Sequence, residues 1–65
     1  MKVSKKAIDK FMMRKRLNYK ELAAESGIAF KTVYRMINGA NCRRTTIYKL
    51  ADALECEPEE LIMAY

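Results

Sequence analysis

Lys31, Tyr34, Arg35 and Asn38 recur at i, i+3, i+4 and i+7 in the middle of the chain, the spacing of one face of a helix. Val33, Met36 and Ile37 fall on the opposite face, and Phe30 and Thr32 flank the polar one at its leading end. Lys and Arg only donate hydrogen bonds, while Asn and Tyr both donate and accept. A face of this kind suits an acceptor-rich, negatively charged surface. An ordinary solvated helix has similar polarity, but a Phe beside a Lys at the leading edge is odd for a surface without a partner. Its ring would suit a methyl-bearing edge, with the cations beside it donating to base or phosphate acceptors.

Other chemistry finds little support. The chain has no His, no glycine-rich phosphate loop and no paired carboxylates set among apolar residues. Acid–base and nucleophilic catalysis therefore lack recognisable machinery, and Glu59 and Glu60 read as first-turn helix charges. A chain of 65 residues buries only about 60% of the surface that its unfolded form exposes, too little for a deep substrate cavity. No enzyme activity, cofactor or small-molecule ligand is expected. Cys42 and Cys56 are too few for a zinc site, which needs about four ligands, or for a disulfide framework. Both are read as free thiols in a reducing compartment, with Cys56 in the core and no metal bound. No apolar run approaches the roughly 20 residues of a membrane span, and the charged N-terminus lacks an apolar signal region. The expected location is cytoplasmic.

Thirteen Lys and Arg stand against eight Asp and Glu, a net charge of +5. Residues 1–35 hold ten basic and three acidic side chains, whereas residues 52–65 hold five acidic ones and no basic one. A basic body with an acidic end fits a polyanion-binding surface whose far side faces water. Charge alone is weak evidence, because many basic surfaces are merely soluble.

The elements that must position the central face are helical throughout. Ser4 suits the N-cap of a first helix whose Ala7, Ile8 and Phe11 share a face leading toward Leu17; Met12 and Met13 cannot both join it. Asn18 starts a second helix with Glu21 completing a capping box. Leu22, Ala23 and Ala24 follow, and Ser26-Gly27 ends it, glycine taking the left-handed conformation without steric cost. The third helix spans about 30–38, and Gly39 supplies a further stop. Ile47, Leu50, Ala51 and Leu54 form the apolar stripe of a fourth helix, capped by Thr45 or Thr46. Pro58 opens a short fifth helix, packed down by Leu61 and Ile62. Two short helices joined by a tight turn must cross steeply. That crossing needs a small residue at Ala23, a turn glycine at Gly27 and an apolar residue at Val33, with Leu22, Ile28 and Met36 completing the inner surface. This is helix-turn-helix geometry, over about 18–39.

Here the sequence resembles the Cro and phage-repressor type of helix-turn-helix, found in many small bacterial and phage regulators. The resemblance runs from about Ile8 to Ile62. It rests on Leu17-Asn-Tyr-Lys-Glu-Leu-Ala, Ser26-Gly-Ile, Ile37-Asn-Gly and Leu50-Ala-Asp-Ala-Leu, followed by Glu57-Pro-Glu-Glu-Leu. Each piece is weak alone, and together in order they are specific. The resemblance implies an all-α, compact five-helix bundle of the lambda-repressor-like kind, one domain over 1–65. It also implies a sequence-specific regulator of transcription, acting as a small repressor on double-stranded DNA as a homodimer. Base contacts would fall on Phe30, Lys31, Thr32 and Arg35, early in a recognition helix lying in the major groove. Backbone contacts would fall on Tyr19, Lys20, Tyr34, Asn38, Asn41, Arg43 and Arg44. Tyr34 could instead meet a methyl group, and a solvated loop is the lesser reading of the two arginines. Four features depart from the family: Ala29 and Phe30 replace the usual Ser or Thr cap, the loop before the fourth helix lacks Pro-Ser, Glu55 stands where Gly is common, and Met12 stands where a basic residue often lies.

The competing reading is a non-catalytic interaction module of the same fold, an antirepressor or antitoxin-like partner subunit. The acidic end with Leu61, Ile62, Met63 and Tyr65 would then dock a partner. The same residues could form a homodimer, and Leu61 and Ile62 could simply close the core. RNA binding lacks a recognisable module. Membrane-surface binding by the basic first helix conflicts with the need for Ile8 and Phe11 inside.

Overall fold

Ser4 begins the first helix as its type predicts: its hydroxyl accepts from the Ala7 N–H at 3.3 Å in the computed structural model, which describes residues 1–62. That helix, α1, spans Lys5–Lys15 and is followed by α2 (Tyr19–Ser26), α3 (Phe30–Ile37) and α4 (Arg44–Leu54). Among the described residues all regular structure is helical, apart from one isolated bridge between Val3 and Ile62. In α1, Met12 turns into the core with Ile8 and Phe11, while Met13 points out at 82% exposure. Lys10 and Arg14 place their charges over the outer side of the Phe11 ring, 5.7 and 4.8 Å from its centroid.

The Asn18–Glu21 capping box forms in both directions, at 2.8 and 2.9 Å. Gly27 ends α2 at φ +72°, its N–H donating to the Ala23 carbonyl. Three expectations need correction. The fifth helix is a single 3-10 turn, Pro58–Glu60, because three residues between Glu57 and Leu61 leave no room for an α-helical repeat. Helix α3 stops at Ile37, with Asn38 as its C-cap. Neither Thr45 nor Thr46 caps α4, since both already lie inside its first turn; Arg43 is the N-cap and offers no side-chain acceptor.

Ile8, Leu22, Val33, Met36, Ile47, Leu50, Leu54 and Leu61 are fully buried and make one continuous core. Helix α2 packs on both α3 and α4, so the pair α2–α3 is held from behind. Ala23 is buried and Ala24 exposed. Cys56 sits half-buried at the core's edge rather than inside it, and both thiols are free. Leu61 is fully buried, whereas Ile62 is half-buried. Met63 and Tyr65 lie outside the described residues. The ends of α1 and α4 are tied by Lys15, which pairs with Glu55 and donates to the Ala53 carbonyl at 3.1 Å. The hydrogen bond between them raises the Lys15 pKa and lowers that of Glu55. Glu55, at the family's usual glycine position, takes the left-handed conformation that glycine would supply, at φ +55°. No helix among the described residues is long and apolar enough to cross a membrane.

Residues 1–4, unassigned by periodicity apart from the Ser4 cap, form an extended segment. Val3 is buried at 3% exposure, the Ser4 N–H donates to the Leu61 carbonyl at 2.7 Å, and the Cys42 N–H donates to the Met1 carbonyl at 2.7 Å.

Left-handed backbone at two positions generates opposite expectations. A Cβ at Gly27 would meet nothing within 4 Å, so Gly27→Ala should destabilise through backbone strain alone, by about 1 kcal/mol. Arg16 already bears that strain at φ +58°, and Arg16→Gly should stabilise by about 0.5 kcal/mol. In thermal denaturation each kcal/mol moves the midpoint by about 4–8 °C for a domain of this size; shifts of the same sign would contradict the conformational explanation.

Candidate nucleic-acid interface

Burial of Val33, Met36 and Ile37 on one side of α3 leaves Phe30, Lys31, Thr32, Tyr34 and Arg35 exposed on the other. This is the face expected from the residue spacing. Phe30 and Tyr34 stack along it, ring centroids 6.4 Å apart and planes 28° from parallel, while staying 44% and 53% exposed. Helix α3 starts at Ala29 without a side-chain cap, so its first turn leaves backbone N–H groups without a capping acceptor at the end where Phe30, Lys31 and Thr32 stand.

From Ser26 to Ala51 the chain carries Lys31, Arg35, Arg43, Arg44 and Lys49 and no carboxylate. Among the described residues Lys15–Glu55 is the single ion pair. The cations on and after α3 therefore hold no ion-pair partner among the described residues, and their charge is open to an anionic partner.

The loop after α3 extends this surface. Thr32 and Arg35 share one open groove with Asn41, Cys42, Arg43 and Thr46, which brings two of the expected base readers together with two of the expected backbone contacts. Arg44 is separated from them. It lines a second groove with Met1, Ile47, Tyr48, Pro58, Glu59 and Ile62. Tyr19 is half-buried against the core, with Lys20 exposed beside it. Asn38 is exposed, but its Nδ2 already donates to the Tyr34 carbonyl at 2.8 Å, leaving its second amide hydrogen for an outside acceptor.

Cys42, Thr46 and Tyr48 were not anticipated at these surfaces. Tyr48 carried a signal: an aromatic residue directly after Ile47 falls off the apolar stripe of α4, and it is 46% exposed. Burial pushes the Cys42 thiol pKa up, opposed by the nearby N-terminal ammonium. Burial likewise raises that of Cys56, with Glu60 adding to it. Neither thiol is activated as a nucleophile. The acidic residues Asp52, Glu55, Glu57 and Glu60 line a separate groove beside Phe11 and Arg14.

Two short helices joined by a tight turn and packed on each other, the second presenting exposed donors and aromatic rings, form a helix-turn-helix nucleic-acid-binding arrangement. Residues 7–64 match the Cro/C1-type HTH DNA-binding domain, and the chain belongs to that family. Its backbone is similar to part of a hydroxyethylphosphonate dioxygenase variant, with a TM-score of 0.85 at 19% identity over 98% of this chain. It is also similar to part of PhpD with cadmium, alone and complexed with hydroethylphosphonate, each with a TM-score of 0.82, 19% identity and 98% of this chain covered. The chain spans 14% of the length of each of these, and at such identity the likeness is one of fold. No curated protein matches the chain significantly.

Because Lys31 and Arg35 are exposed and hold no side-chain partner among the described residues, Lys31→Ala and Arg35→Ala should each change stability by less than about 0.5 kcal/mol. Urea denaturation checks this, and a larger loss would show that the face serves the fold.

Proposed function

We propose that the chain is a sequence-specific double-stranded-DNA-binding regulator of transcription, a small repressor whose α3 enters the major groove. The observation that carries this reading is the exposed face of α3: donors and aromatic rings on one rigid helix, with no carboxylate to neutralise them. Arg35 and Lys31 donate to guanine O6 and N7, Phe30 meets a thymine methyl, and Thr32 reads a neighbouring base edge. A bidentate contact of this kind discriminates between bases by roughly 1–3 kcal/mol. Tyr19, Lys20, Tyr34, Asn38, Asn41, Arg43 and Arg44 hold the phosphates and set the register. A domain that fills the major groove represses by occupying the site, with no catalysis.

We also assign it a homodimeric state on DNA. Supporting this is the groove around the exposed Tyr48, which is mainly apolar and carries Arg44 and Glu59. A two-fold axis would set this apolar groove against its own copy, the self-complementary contact of an isologous interface.

Selection of bound sites from random duplex DNA tests the reading. The expected outcome is a palindromic motif with half-sites one helical turn apart, about 34 Å. Neutralisation of about six phosphates should give a log–log salt slope near −5. The absence of any enriched motif at any salt concentration would overturn the proposal.

A further inference from the structure

The loop that follows α3 is poorly held by its own neighbours. The Ala40 N–H donates back to the Arg35 carbonyl at 2.9 Å, and the Arg43 carbonyl accepts from the first turn of α4. Between them, Asn41 makes no backbone hydrogen bond among the described residues. Both backbone groups of Cys42 instead bond to Met1. Its N–H donates to the Met1 carbonyl at 2.7 Å, and its carbonyl accepts from the Met1 nitrogen at 3.3 Å. The Cys42 thiol also lies 3.3 Å from the same Met1 carbonyl.

Met1 is in turn held two residues along the chain. Val3 is buried in the core and bridged to Ile62, and Ser4 is fixed both by its N–H to Leu61 and by its capping bond to Ala7. An extended segment has almost no slack over so short a span, so the place of Val3 fixes the place of Cys42. Asn41 and Arg43, the exposed neighbours of Cys42, flank this tether and face the groove that also holds Arg35.

We propose that the extended segment Met1–Ser4 is a strap, anchored by Val3, that positions Asn41 and Arg43 for the DNA backbone. Val3 is thus a positioning residue for contacts it does not itself make. The strap removes conformational freedom from the loop before DNA arrives, so less has to be lost on binding. It leaves the base-reading side chains of α3 untouched, because these are fixed by Val33, Met36 and Ile37. The inference rests on the DNA-binding reading and adds a long-range control of its phosphate contacts.

The test compares wild type, Val3→Ser, Arg43→Ala and the double variant on the selected duplex, with folding followed by circular dichroism. Val3→Ser sets a hydroxyl where the core requires an apolar anchor. Lys2→Ala controls for charge at the strap, and Val3→Ala supplies the comparison in milder form where Val3→Ser unfolds. Release of the strap should reduce the steepness of the salt dependence by about two, the value for one lost phosphate contact in each copy of the dimer, with the ranking of base sequences unchanged. Arg43→Ala should produce the same reduction, and the double variant no more than either alone. Hydrogen exchange at the Cys42 amide gives an independent measure: protection in wild type and release in the Val3 variants. An unchanged slope in a folded Val3 variant overturns the strap, as do additive effects with Arg43→Ala or an unprotected Cys42 amide in wild type. Wild type that binds no duplex overturns the functional reading itself, and the strap's role with it.

Discussion

The turn at Gly27 sets the direction in which α3 leaves α2, and the rest of the molecule is arranged around that direction. A left-handed residue there ends α2 after only eight residues, and the small side chain of Ala23 lets the following helix pack close. Val33 then locks the crossing from the inside, backed by Leu22 and Met36, all three within the core. One face of α3 is consumed by this packing. The other is left with Phe30, Lys31, Thr32, Tyr34 and Arg35 on a rigid support, the condition under which side chains can read a groove rather than merely touch it.

Charge is divided along the same lines. The stretch from α3 into α4 carries cations alone, while the carboxylates of the C-terminal end gather beside Phe11 and Arg14. The Lys15–Glu55 pair is an exception that joins the two ends of the core, linking α1 to the end of α4. It is also where a positive-φ glutamate stands in place of glycine, so the local strain and the ion pair share one residue. Among the described residues Lys31, Arg35 and Arg43 have no ion-pair partner, and a polyanion bound at α3 and its following loop would release counterions from its own surface.

Local signals in the sequence carried most of the fold. Ser4, Asn18 with Glu21, and Gly27 act through bonds to residues within four positions, so their types alone placed three helix termini. The stripe Ile47, Leu50, Ala51 and Leu54 was equally clear, and so was the exposed face of α3. What the chain does not announce is non-local. Val3 lies in a stretch too short for periodicity, and it is bridged to Ile62, far away in sequence. The start of α4 was misplaced because two adjacent threonines look like caps, yet Arg43 ends the loop first. The acidic run after Pro58 has the composition of a helix start but too few residues before Leu61 must turn into the core. The split between Arg43 and Arg44, adjacent in sequence but on different grooves, follows from where the α4 backbone begins.

The proposed DNA-reading role of α3 is tested most directly by titrating isotopically labelled protein with duplex DNA carrying its selected site and following backbone amide resonances. The largest shifts are expected at Phe30, Lys31, Thr32, Tyr34 and Arg35, with a second group at Asn41 and Arg43, and little change from Asp52 to Glu60. Shifts concentrated on the C-terminal acidic end, with α3 unmoved, would contradict it.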